Sequence, residues 1–307
     1  MTVVESSVEQ AEIVAAVREF VDRDVIPVAS DLEHEDEFPT ALVETMKQLG
    51  LFGTTIPEEY GGLGLGIDTY ALIQMELSRG WPTLSGIMNG SFITGTMIGV
   101  HGTQEQRQRH LPRLASGEIR AAFSMTEPHA GSDVQAIRTT AVREGDDFVL
   151  SGQKMWVTNG WRSGLISVLA KTDPAAEPAH TGMTGFLVEK QPETEPPGLR
   201  IPMPALKKLG YKGVESTELL FDGFRTPASS ILGGEQGLGQ GFKYFMSGIE
   251  AGRVNVAARG AGVAKAALDD ALRYAKEREA FGKPIGQHQA VQLMLAKMAT
   301  RAEAARR

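Results

Sequence analysis

The stretch Phe123-Ser-Met-Thr-Glu-Pro-His-Ala-Gly-Ser-Asp-Val134 marks where the texture of the chain changes. Before it, apolar residues recur at helical spacing; after it, short runs separated by turn residues take over. Thr126, Glu127 and Pro128 read as a strand end that turns sharply. Gly131-Ser132-Asp133 then offers backbone N–H groups and a hydroxyl. Such a segment is either a plain Asx-type turn or a loop that binds an oxygen-rich ligand through its backbone.

Upstream of this stretch, Ser6 and Glu9 have capping-box spacing, and Ile13, Ala16, Val17 and Phe20 mark one helix face that Pro27 should end. Pro39 opens a second helix with Leu42, Met46 and Leu49 on one face and Gly50 as its stop. Asp68 to Arg79 and Gln104 to Ala115 read as further helices, and the glycine-rich residues 89–102 as a tightly packed buried one. Downstream, Thr139–Val142 and Phe148–Leu150 flank the turn Glu144-Gly-Asp-Asp147, a hairpin signal. Ser167–Lys171, Thr184–Val188 and Thr217–Phe221 are further strand candidates. From Gly241 the chain is helical to Arg278, breaks at Gly282 and Pro284, and resumes near Gln287. The expected fold is α+β and multidomain: an N-terminal all-α domain over 1–118, a middle antiparallel β-sandwich or barrel over 119–230, and an incomplete C-terminal helical bundle over 231–307.

The chain has 307 residues, no Cys, 31 Lys plus Arg and 38 Asp plus Glu, for a net charge of −7. The absence of Cys excludes disulfides and thiolate metal sites. The acidic balance argues against non-specific nucleic-acid binding. No apolar run reaches the ~20 residues of a membrane span, and the N-terminus lacks the basic start of a secretory signal. The expectation is a soluble cytoplasmic protein. The glycine runs 61–66 and 233–241 fit neither G-x-G-x-x-G nor a Walker A, and read as turns or helix entries. Glu33-His-Glu-Asp-Glu37 reads as a solvated face rather than a metal site.

A second informative segment is Leu150-Ser-Gly-Gln-Lys-Met-Trp-Val-Thr-Asn-Gly160. Trp156 is either a core residue or a flat face for a planar cofactor. Thr158, two residues on, should share its strand face. The two segments, together with Glu250-x-x-Arg253, Arg278-Glu-Ala-Phe-Gly-Lys-Pro284 and His288-Gln289, occur in one order along the chain. They resemble the acyl-CoA dehydrogenase family, and the resemblance covers essentially the whole chain.

That resemblance implies FAD as cofactor. It puts Phe123, Met125 and Thr126 along the flavin ring, and Trp156 and Thr158 beside it. Gly131 and Ser132 fall where the family contacts the FAD phosphates, and Ser132 also where it meets the CoA arm of the substrate. Arg278, Phe281 and Gln289 match positions that reach the FAD of a neighbouring subunit, so a homo-oligomer, dimer or tetramer, is implied. Glu250 and Arg253 match positions near the acyl-CoA. The implied reaction is α,β-dehydrogenation of an acyl-CoA thioester to the trans-2-enoyl-CoA, with electrons passed to an electron-transfer flavoprotein.

The sequence departs from the family at the catalytic base. One branch carries a Glu where this chain has Gly252; the other carries it later, past Arg307. Glu250 lies two residues from Gly252, about 200° around a helix, and should point elsewhere. The expectation is a chain shortened at its C-terminus, with Met294, Met298 and Ala302 forming an apolar face without an intrachain partner. The alternatives are a base-lacking partner subunit that binds FAD or acyl-CoA in a hetero-oligomer, and a related flavin oxidase or oxygenase. Pocket depth is expected to depend on residues near Gly95–Gly99 and Met246.

Overall fold

The computed structural model describes residues 8–307. The expected capping box of Ser6 and Glu9 lies outside the described residues and side chains. The elements in chain order are α1 (Val8–Phe20), α2 (Ile26–Glu35), α3 (Thr40–Gln48), α4 (Ile67–Gly80), α5 (Pro82–His101) and α6 (Gln104–Ala115). Seven strands follow: β1 (Ala121–Ser124), β2 (Thr140–Glu144), β3 (Asp147–Thr158), β4 (Leu165–Lys171), β5 (Met183–Glu189), β6 (Leu199–Arg200) and β7 (Ser216–Pro227). The chain closes with α7 (Gly241–Glu277), the short strands β8 (Glu279–Ala280) and β9 (Lys283–Pro284), and α8 (Gln289–Arg306).

Two compact units arise, and they do not follow chain order. One comprises the described part of residues 1–31 with Ile67–Ser85 and Arg253–Arg307; the other comprises Leu32–Gly66 and Gly86–Gly252. In the first unit α1 packs on α4, with Val17, Phe20, Ile73 and Leu77 buried. Pro27 does not end the first helix, contrary to the sequence expectation. The chain passes through a π turn, Val21–Val25, in which the Ile26 amide donates to the Val21 carbonyl five residues back. That widened turn accommodates a ring that would clash with the carbonyl four residues back in a regular helix. Asn255 on α7 donates to the buried Tyr70 hydroxyl at 2.8 Å and accepts from Arg259 at 2.7 Å. None of the residues of α8 is buried, and Leu293 and Met294 are each 57% exposed.

The second unit holds a seven-stranded sheet ordered β1-β4-β2-β3-β7-β6, with β5 also on β4. Pairing is antiparallel for β2–β3, β3–β7, β4–β5 and β6–β7, as expected. Two pairings depart from an all-antiparallel arrangement: β2 meets β4 in parallel at Thr140–Lys171, and β1 runs parallel to β4. Strand β1 enters directly from α6 rather than from a hairpin, so no tight turn dictates its direction. The strand whose end is expected at Thr126–Pro128 is β1, which stops at Ser124.

The glycine-rich segment 89–102 is helical, as its composition suggested, because α5 crosses β1 closely. The Ala121 amide donates to Ser91 Oγ at 2.9 Å, and Thr94 Oγ1 meets Ser167 Oγ at 3.1 Å. At Gly90 a Cβ would lie 2.3 Å from the Ala121 carbonyl oxygen. Among the described residues, no helix is long and apolar enough to cross a membrane.

These contacts separate two glycines of the same helix. Gly90→Ala is expected to destabilise by about 1–3 kcal/mol, since a backbone oxygen cannot swing aside. A Cβ at Gly99 meets nothing within 4 Å. Gly99→Ala is therefore expected to gain up to ~1 kcal/mol of helix propensity. Chemical denaturation of both variants checks the pair.

Candidate functional site

The site is built around a break in β3. Lys154 pairs with Leu219 and Val157 with Thr217, so three steps along β3 match two along β7. The extra residue is a bulge, and Trp156 sits in it with φ +61. Positive φ is costly for a bulky side chain, and such strain clusters at functional sites. The indole is 54% exposed. It is therefore not a core residue.

A buried ion pair anchors this break. Lys154 is fully buried, and its ammonium donates to Glu127 Oε1 at 2.9 Å and to the Met125 carbonyl at 3.1 Å. Glu127 also accepts from the amides of Arg138 at 2.7 Å and Thr139 at 3.0 Å. Burial pushes Lys154 down to about 8, against the pull of Glu127. Burial alone would raise Glu127, but the Lys154 charge and these hydrogen bonds hold it below the usual carboxylate range. The Met155 amide donates to the Thr126 carbonyl at 2.9 Å, tying the two segments side by side.

Together these segments form one wall of a cavity of about 170 Å³. Phe123, Met125, Thr126, Met155, Trp156 and Thr158 line it, facing Gly86, Asn89, Gly90 and Ile93 of α5, and Tyr211. Trp156 and Thr158 both line the cavity, while Val157 between them is buried. The surfaces suit a planar ring with a polar edge: an exposed indole face, the apolar Phe123 and Met125, and two threonine hydroxyls. The Asn89 Oδ1 atom is buried there without a hydrogen-bond partner. The five α5 and loop residues were not singled out in the sequence. Gly86, Gly90 and Ile93 recur at i, i+4 and i+7, a legible helix face, but the sequence reading put pocket depth one to three turns later. No sequence signal marks Tyr211.

The remaining expected site residues lie elsewhere. Gly131 and Ser132 are exposed, in the loop that Glu127 pins through its β-bridge to Ala130. A Cβ at Gly131 would meet nothing closer than Thr126 Cγ2 at 3.9 Å. Packing therefore does not require glycine there, and the backbone is open to close approach by a phosphate-sized group. These surfaces fit the FAD expected from the sequence. Glu250 and Arg253 are exposed on α7. Gly252 is buried, and a Cβ there would lie 2.7 Å from Ile93 Cδ1 and 3.8 Å from Asn89 Oδ1. Position 252 thus faces two cavity residues while Glu250 does not. Arg278, Phe281 and Gln289 belong to the other compact unit, around the β8–β9 ribbon, and all three are exposed. Phe281 has φ +54 and is 96% exposed, and its ring meets that of His288 edge to face with centroids 5.9 Å apart.

The chain matches three family models in order: acyl-CoA dehydrogenase, N-terminal domain over residues 7–118, middle domain over 122–224, and C-terminal domain over 239–307. It is 39% identical over 299 residues to an acyl-CoA dehydrogenase of Bacillus subtilis, covering 97% of this chain and 76% of that protein. Butyryl-CoA dehydrogenase from Megasphaera elsdenii superposes with a TM-score of 0.92 at 30% identity, over 99% of this chain and 78% of that one. A glutaryl-CoA dehydrogenase from Mycobacterium smegmatis, in complex with FADH2, gives a TM-score of 0.88 at 30% identity, over 98% and 74% of the two chains.

The ion pair makes a direct prediction. Lys154→Met leaves a buried carboxylate without its counter-charge and is expected to cost about 3–5 kcal/mol. Combining it with Glu127→Gln removes that charge, so the double variant should be more stable than Lys154→Met alone. Urea unfolding of the three proteins measures the difference.

Proposed function

The chain belongs to the acyl-CoA dehydrogenase family, oxidoreductases acting on a CH–CH bond, and on that premise we propose that it binds FAD and a fatty acyl-CoA at the Trp156 cavity. The proposed reaction gives the trans-2-enoyl-CoA, with an electron-transfer flavoprotein as acceptor. The observation that carries this reading is the β3 bulge, which holds an exposed indole at positive φ against a cavity edged by two hydroxyls. A strained, exposed Trp has no packing purpose, but it supplies a flat wall for a planar ring.

FAD, when bound, supplies the hydride acceptor. The chain's own residues orient it. In this reading Trp156 covers one face of the ring, and Thr126 and Thr158 hydrogen-bond its polar edge. Phe123 and Met125 keep water from it. Gly131 and Ser132 bind the phosphates, with Ser132 also on the CoA arm. Arg278, Phe281 and Gln289 reach the FAD of a neighbouring copy in a homo-oligomer, which accounts for a phenylalanine left 96% exposed. Arg253 and Glu250 lie toward the acyl-CoA.

One observation favours a second reading, a partner subunit that binds FAD and acyl-CoA without its own base. No carboxylate is among the residues lining the cavity, and the space beside Gly252 is filled by Ile93. A general base must come within hydrogen-bond reach of the α-proton, and neither Gly252 nor the exposed Glu250 meets that requirement.

Anaerobic addition of butanoyl-CoA to the flavin-loaded chain separates the two. Bleaching of the visible flavin band is expected for the dehydrogenase. A shifted band without bleaching shows that residues 1–307 bind flavin and acyl-CoA but do not supply the base, as the second reading requires, and a chain that retains no flavin contradicts both. Arg278→Ala is expected to lower flavin occupancy and leave the unfolding midpoint of the flavin-free chain unchanged; unaltered occupancy removes Arg278 from the FAD site.

A further inference from the structure

The acidic run at the end of α2 has a role that neither the fold nor the proposed chemistry uses. The Lys212 amide donates to both carboxylate oxygens of Glu33, at 3.2 and 3.1 Å, and the Gly213 amide donates to Asp36 Oδ1 at 2.9 Å. Charged acceptors thus pin two consecutive amides of the loop before β7. On the other side of the loop, the Lys208 ammonium donates to the Val214 carbonyl and lies 5.1 Å from the centroid of the Tyr211 ring. Between these clamps Tyr211 has φ +61, a conformation that disfavours an aromatic residue.

The consequence is seen at α5. Tyr211 enters the cavity lined by Trp156, Thr126 and Thr158, and its ring rests on Gly86. A Cβ at Gly86 would lie 1.6 Å from the phenol oxygen and 2.4 Å from Cζ. Ring and glycine are therefore complementary, and no side chain fits at 86 while the ring is there. The remaining cavity, about 170 Å³, is small beside the ~300–1,000 Å³ of ordinary ligand pockets.

We infer that Tyr211 is a specificity-determining residue: seated on Gly86, it fills the α5 side of the cavity and restricts the acyl group to short chains. This rests on the proposed acyl-CoA binding at the same cavity. The Glu33 and Asp36 carboxylates act as positioning residues, because they hold the loop that aims the ring.

The test is titration of the flavin-loaded protein with butanoyl-, octanoyl- and dodecanoyl-CoA, reading the perturbation of flavin absorbance as the binding signal. Tyr211→Gly is the suitable variant, since glycine adopts φ +61 without strain. Wild type is expected to bind butanoyl-CoA more tightly than dodecanoyl-CoA. In Tyr211→Gly, the affinity for dodecanoyl-CoA relative to butanoyl-CoA should rise at least about tenfold, at roughly fourfold for each methylene admitted. An unchanged chain-length ratio overturns the inference, as does a wild type that binds dodecanoyl-CoA as tightly as butanoyl-CoA. A flavin-loaded wild type that binds none of the three overturns the acyl-CoA reading itself. A second measurement needs no ligand. Gly86→Ala should lower the melting temperature of wild type but not that of Tyr211→Gly, where helix propensity favours alanine; equal losses in both backgrounds contradict the ring–glycine contact.

Discussion

An ammonium group taken wholly out of water must find its counter-charge, and the site depends on how Lys154 does so. Its partner Glu127 is 27 residues away, at the start of the loop that leaves β1. Because the same carboxylate accepts two backbone amides and the same ammonium holds the Met125 carbonyl, one ion pair fixes both segments at once. The bulge next to Lys154 then has a single outcome. Its extra residue turns away from the sheet, and the indole of Trp156 faces the cavity instead of the core. A pair like this adds little net stability, since desolvation offsets much of its attraction, but it specifies one arrangement of the loop and the strand.

The opposite wall follows from missing side chains. Gly90 lets α5 approach the Ala121 carbonyl, and Gly252 leaves room for Ile93. Gly86 leaves room for Tyr211. Each glycine substitutes backbone proximity for a side chain, so the cavity is bounded by what neighbouring elements push into those gaps. That is why position 252, which faces the cavity, contributes no functional group to it.

Much of this was legible in the sequence, for physical reasons that differ from element to element. Helix α3 carried its own punctuation in Pro39 and Gly50, whereas the Thr103–Gln106 capping box that opens α6 was not read from the sequence. The hairpin β2–β3 was marked by its glycine turn. Pro27 misled, because the π turn before it is a cooperative adjustment of the helix that no single residue signals. Strand β1 was legible only by its end near Thr126, because Ala121 and Ala122 are buried on both faces, one against α5 and one within the sheet, and lack an alternating pattern. In the site, Phe123, Met125, Thr126, Trp156 and Thr158 were expected and converge on one cavity. Gly131 and Ser132 sit on the neighbouring exposed loop, and Arg278, Phe281 and Gln289 stand exposed on the other compact unit. Tyr211 was illegible because its position depends on carboxylates nearly 180 residues away, Glu33 and Asp36, whose charge run looks like an ordinary solvated face.

The central claim is that the bulge exists to present Trp156 to a flavin, and intrinsic fluorescence tests it most directly. The chain has three tryptophans. Trp81 is buried, and Trp161 is partly buried beneath the Lys190 ammonium, so Trp156 alone is exposed beside the cavity. Titration with FAD should quench the wild-type emission, and Trp156→Phe, still holding its flavin through gel filtration, should lose most of that quench. Equal quenching in the two proteins would show that the flavin lies elsewhere and that the strained indole serves another purpose.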